Sequence, residues 1–272
     1  MHLTLSPGRK AAHARTASHP CHHHHHHPEL ARLDGGVREL MSWTATSRSG
    51  GEGSSGLALV EAVLAALGEV LELPMAVAAL HGGEAAAARD DAFLVLADAY
   101  GTFESALLAL RESVAGARCG ARRGDGAAVA AALRARRRTE KELCRLAGAM
   151  RQAASRTPAA DATTGDDVGD AVAEAAAAIA AASEAVFLGC ATMPPDMSSS
   201  MASTSPSKNW LARLHLHVVP ASKKVSPETA TATAASLERL EECIGELESG
   251  SEKVFRRLLQ TRVSLLNIHN PL

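Results

Sequence analysis

The side chains of this 272-residue sequence that could do chemistry fall into three groups: histidines, neighbouring acids and a run of arginines. His22 to His27 are six adjacent imidazoles that would take up Ni²⁺ or Zn²⁺ from solution. A structural zinc site needs ligands converging from separate elements, which a homopolymer does not supply. The tract therefore reads as natural low-complexity sequence in a tail, in preference to a purification tag or a working metal site. His215 and His217 alternate with leucine. They would share a face on a strand and diverge on a helix, and no third ligand stands near them, so they read as ordinary surface or core histidines. His81 precedes Gly82-Gly83 and reads as a helix end. No histidine has a glutamate three residues before it, so the Glu-x-x-His pattern of di-iron bundles is missing. H-E-x-x-H, G-x-S-x-G, the P-loop and G-x-G-x-x-G are missing too. Glu241 and Glu242 are adjacent, so on a helix they point about 100° apart and cannot share a proton. Arg136-Arg137-Arg138 could touch phosphate, but no aromatic residues interleave them to stack bases, and no recognition-helix module is evident. Thr16 and Ser18 follow Arg15 in a basic stretch that matches a phosphorylation pattern only by short composition. The expectation is of no catalytic, cofactor-binding or metal-ligating residue, of a non-enzymatic protein, and of no nucleic-acid partner.

The elements that would carry these residues are helical. Hydrophobic residues make up 46% of the chain, yet 56 residues are alanine and only 3% are aromatic. Alanine favours helix and buries little area, so long helices packed closely through small residues are expected. Five cysteines, Cys21, Cys119, Cys144, Cys190 and Cys243, are scattered without C-x-x-C spacing. An odd, dispersed set reads as reduced thiols, neither a disulfide framework nor a zinc site. Apolar residues recur at three and four from Leu30 to Met41, from Leu57 to Leu73, from residue 84 to 117 through Phe93, Tyr100 and Phe103, over about 127–154, and from 167 to about 189. "CGARRGDG" (119–126) is a turn in which Asp125 can cap the helix that follows, and so short a turn specifies an antiparallel hairpin. The sequence predicts an all-α fold: an elongated antiparallel bundle of about five long helices. Residues 1–27 are expected as a disordered tail and 28–272 as a single helical domain, with flexible linkers at about 44–56, 155–166 and 190–208.

The closing stretch "SLERLEECIGELESGSEKVFRRLLQTRVSLLNI" (236–268) has the clearest pattern. Leu237, Leu240, Ile244, Leu247, Ser251, Val254, Leu258, Thr261, Leu265 and Ile268 occupy ten consecutive a and d positions, eight of them apolar. Such a seam needs a cover. Residues 118–156 hold eleven Arg or Lys against three acids, while 228–252 hold seven Glu against Arg239. The helix with Arg134, Arg136, Arg137, Arg138 and Lys141 is thus the expected neighbour of Glu238, Glu241, Glu242, Glu246 and Glu248. Intramolecular packing is favoured over a homodimeric coiled coil, with an outside partner as the third possibility.

Several stretches carry a family resemblance. "SHP" (18–20), "LELP" (71–74), "AYGTFESALLALRESV" (99–114), "RRRTEKELCRL" (136–146) and above all "LERLEECIGELESGSEKVFRRLLQTRVSLLNI" (237–268) resemble the BYPASS-like plant family, a domain class of unknown function. The resemblance spans about residues 18–270; the histidine tract, the glycine-rich 44–56 stretch and the high alanine content depart from it. It implies an all-helical plant protein linked to root and shoot development and supplies no site residues. Together these readings point to action through an unidentified protein partner. The alternatives are weak contact with anionic membrane through the basic 118–156 helix and, third, an enzyme with a dispersed site. A cytoplasmic location is expected, with peripheral membrane, nucleus or plastid as alternatives, the last from the acid-poor start bearing Arg9, Lys10 and Arg15. No uncharged apolar run approaches the ~18–20 residues of a spanning helix.

Overall fold

The computed structural model describes residues 27–47, 53–81, 84–156, 167–193 and 227–269, with side chains left aside at 84–86 and 227–234. The expected tail up to residue 26, most of the expected 155–166 and 190–208 linkers, and His215 and His217 lie outside the described residues. The helices are α1 (Pro28–Ser47), α2 (Gly53–Leu71), α3 (Pro74–Leu80), α4 (Glu84–Arg123), α5 (Gly126–Arg156), α6 (Asp167–Thr192) and α7 (Pro227–His269). No strand occurs among the described residues, so the described fold is all-α. Six of these seven helices have 19 residues or more, where about five long ones were expected.

The additional long helix is α1. Its Gly35-Gly36 pair weakens it as an isolated helix, but Leu33, Val37 and Leu40 are buried and hold it in place. A Cβ on Gly36 would sit 3.4 Å from Val63, so this glycine lets α1 lie close against α2. The expected 44–56 linker is largely helical: α1 continues to Ser47 and α2 starts at Gly53. Gly56 is buried beneath the indole of Trp43, where a Cβ would come within 2.3 Å of the ring, and the Trp43 Nε1–H donates to Ser55 Oγ at 3.1 Å. What composition presents as slack is a clasp between two helices.

Pro74 starts α3 after Leu73 turns extended, as a residue before proline prefers. α4 and α5 form the expected hairpin. Gly124 supplies the positive φ of the turn (68°), and Asp125 Oδ1 accepts the backbone N–H of Ala128 at 3.0 Å, capping α5.

Packing closes the helices on one another. α5 packs on α4 and α6; α7 packs on α4 and α2; α1 lies on α2 and α6. The pairs α1–α2, α4–α5 and α5–α6 run antiparallel, and α7 is antiparallel to α4 through Arg111–Glu248 and Arg118–Glu241. Against α2 it runs parallel, since Gly53 meets Leu247 while Leu57 meets Gly250. The core centres on Tyr100 and Phe103 of α4 and Phe187 of α6, whose ring centroids lie 4.4 to 6.2 Å apart. The Ser183 hydroxyl donates to the Ile179 carbonyl at 2.7 Å, so the Tyr100 hydroxyl is the donor in its 3.0 Å contact with Ser183 Oγ.

By length and composition α2, residues 87–123 and α6 are apolar enough to cross a membrane. In the fold, half of the apolar window in each of the first two and 56% of that in α6 is buried inside the protein.

Candidate interaction surfaces

The seam of α7 is covered from within the chain. All ten of its a and d positions, from Leu237 to Ile268, are buried, including Ser251 and Thr261. The cover is α2 on one side and α4 on the other. Gly250 permits the close approach, because a Cβ there would stand 3.0 Å from the Leu57 side chain.

The charge pairing differs from expectation. The acids of α7 meet α4, not the Arg134–Lys141 stretch of α5. Arg111 pairs with Glu248 at 2.9 Å, Arg118 with Glu241 at 2.6 Å and Arg122 with Glu238 at 4.0 Å. Sign told which surfaces attract, but both members of the α4–α5 hairpin carry arginine, and geometry chose between them. The spacing held a usable signal: Arg111, Arg118 and Arg122 repeat every seven and four residues along the α4 edge. Glu242 and Glu246 stay exposed.

The arginine run divides between inside and outside. Arg136 is buried; its Nη2 donates to the Met193 carbonyl at 2.7 Å and its Nε to Glu140 at 2.8 Å, tying the end of α6 to α5. Arg137 and Arg138 face solvent together with Arg134, Lys141 and Arg145. Among the described residues none of these five forms an ion pair, while Glu140 is engaged by Arg136 and Glu184 by Arg151. Arg137, Lys141 and Arg145 line an open depression with Glu140, Cys144 and Ala191.

A second surface runs along the outside of α4. Ala97, Gly101, Ser105 and Ala109 form a shallow floor, walled by Phe255 of α7 and by Thr139 and Glu142 of α5. Beyond it, Leu259, Val263 and Leu266 of α7 share one helical face and are 40%, 57% and 41% exposed. The α4–α7 register, continued, sets exposed Leu94 and Val95 level with this stripe, and at the same end burial pushes the Asp90 carboxyl above the ordinary range. Nearby Glu104 has its carboxyl pushed above the ordinary range, by burial first and by the Glu252 charge second. In the sequence the 259–266 stripe is masked by its neighbour. Its four- and three-residue steps were visible, but they run beside the stronger seam.

The remaining candidate residues do not converge. His81 is exposed and its Nδ1 lies 3.0 Å from the Ile268 carbonyl. Among the described residues there is no group of three or more His, Cys, Asp or Glu able to hold a metal ion. Cys119 and Cys144 are exposed, Cys243 is half-buried, and Cys190 is buried with its thiol pushed up to about 12, first by burial.

A family model described as Protein BPS1 matches residues 56–268, from the buried glycine of α2 to the last seam position of α7. No curated protein and no solved structure matches the chain.

Proposed function

Because this chain belongs to the BPS1 family, we propose that it is a non-enzymatic helical protein acting through contacts with another protein in plant root and shoot development. One observation supports this reading above the others. After α7 has buried a complete seam against its own chain, it still presents Leu259, Val263 and Leu266 to solvent beside Leu94 and Val95. A contiguous apolar stripe next to a groove floored by small residues is the kind of surface that receives a helix of a partner. The chain itself is monomeric in this proposal, since the seam that would drive a homodimer is already occupied. The protein resides in the cytoplasm.

The experiment is proximity labelling in native tissue, comparing wild type with a variant carrying Leu259→Glu, Val263→Glu and Leu266→Glu. A reproducible neighbour present with wild type and lost from a variant of unchanged melting temperature supports the reading. Identical labelling profiles refute it. Light scattering on the eluting peak should give one chain per particle, and a dimer mass would transfer the stripe to self-association.

A further inference from the structure

We propose that the outward ridge of α5 docks on an anionic lipid bilayer. Arg134, Arg137, Arg138, Lys141 and Arg145 step by three, one, three and four, which puts all five on one face of a single continuous helix. They span about 16 Å of its axis at about 1.5 Å per residue. The other faces of α5 are committed to α4 and α6, so this face cannot rotate away from solvent without breaking the bundle. Among the described residues the nearby acids leave the cations uncompensated: Glu140 is held by Arg136, Glu184 by Arg151, and Glu142 remains at the edge of the ridge.

The chemistry of the ridge selects its occupant. A protein interface needs a buried apolar or aromatic anchor at its centre. α5 contains no aromatic residue, and among the described residues no large exposed hydrophobic side chain lies on it. Nucleic acid would be read by stacking as well as by charge, and the same lack of rings argues against it. A lipid surface asks only for a convex row of long cationic side chains reaching into the headgroup layer, and the depression lined by Arg137, Lys141 and Arg145 gives one phosphate a seat. None of the five cations lines the groove on α4, whose α5 wall is Thr139 and Glu142, so the proposal stands or falls independently of the protein-contact reading.

The test is sedimentation of the full-length chain with vesicles of phosphatidylcholine alone, or with one third replaced by phosphatidylserine. It is run near pH 8, above the ordinary histidine range, so that the six adjacent histidines add no charge. Wild type is expected to sediment with the anionic vesicles only, and to be released as salt shortens the screening length. Replacing all five cations by Gln should weaken partition by roughly fivefold per position, of order 10³ in total. Replacing the four arginines by Lys should leave it within a few-fold. Both variants change solvent-facing positions, and matching melting curves establish that they fold. The proposal is overturned if wild type ignores phosphatidylserine, if the Gln variant binds like wild type, or if poly-glutamate binds the ridge more tightly than the vesicles do.

Discussion

α6 and α7 use opposite means to enter the same core. α6 is surrounded by α1, α2 and α5; fourteen of its 26 residues are buried, six of them alanine, together with Phe187. α7 is half-immersed. It buries one line of large side chains and holds its register on α4 through ion pairs at the edge. The difference teaches how apolar character should be read. A helix buried all round must be apolar all round, and by composition it then resembles a membrane segment, as α6 does. A helix buried on one side declares its burial through periodicity. Small residues bring backbones together in α6, and large residues fill holes in α7, so substitutions in the two should fail in different ways.

The largest effect is expected from Phe187→Ala, which empties the stack against Tyr100 and Phe103. It should cost about 3–5 kcal/mol in urea unfolding. Ala182→Leu tests close approach directly, because Ala182 is fully buried in α6. Overpacking there should cost about 1–3 kcal/mol, whereas Ser264→Leu at a half-exposed position of α7 should change stability by less than about 0.5 kcal/mol. A melt series showing equal effects at the two sites would remove the contrast.

Ser183→Ala leaves the Tyr100 hydroxyl buried without its acceptor and should cost about 1–3 kcal/mol; adding Tyr100→Phe should recover part of the loss in a double-mutant cycle. Alkaline titration probes the same interior without substitution. Burial raises the Tyr100 hydroxyl above its ordinary value of 10.0 and pushes the Cys190 thiol from 9.0 up to about 12. Both groups stay neutral in the folded protein while the unfolded chain ionises. Stability from them is therefore complete below about pH 9 and declines as pH rises toward 12. Denaturant midpoints that hold constant from pH 8 to 11 would show that neither group is shielded. The smallest effect belongs to the edge of α7. Arg118→Ala removes a partly exposed pair with Glu241 and should cost less than about 1 kcal/mol, falling further with added salt.

The same contrast accounts for what could be read in the sequence. The α7 seam was legible residue by residue because one-sided burial leaves a period, and the Asp125 cap was legible because turn chemistry is local. The helical role of residues 44–47 and 53–56 was not, because glycine and serine look alike whether they serve slack or a close approach. The partner of the acidic stretch was misplaced by one helix, since charge sums carry no direction. The exposed line at Leu259, Val263 and Leu266 differs from a core line only in what surrounds it, and that is settled by the fold.

The parallel contact between α2 and α7 has a consequence for synthesis. Leu57 emerges from the ribosome long before Leu247 and Gly250, the residues that will lie along this edge of α2. At about 5–20 residues per second that interval is roughly 10–40 s. Through it the flank of α2, and the face of α4 that awaits the same helix, have no native cover. A nascent chain of this design waits on α7 before these faces can close, which makes that helix the gate to escape from chaperones.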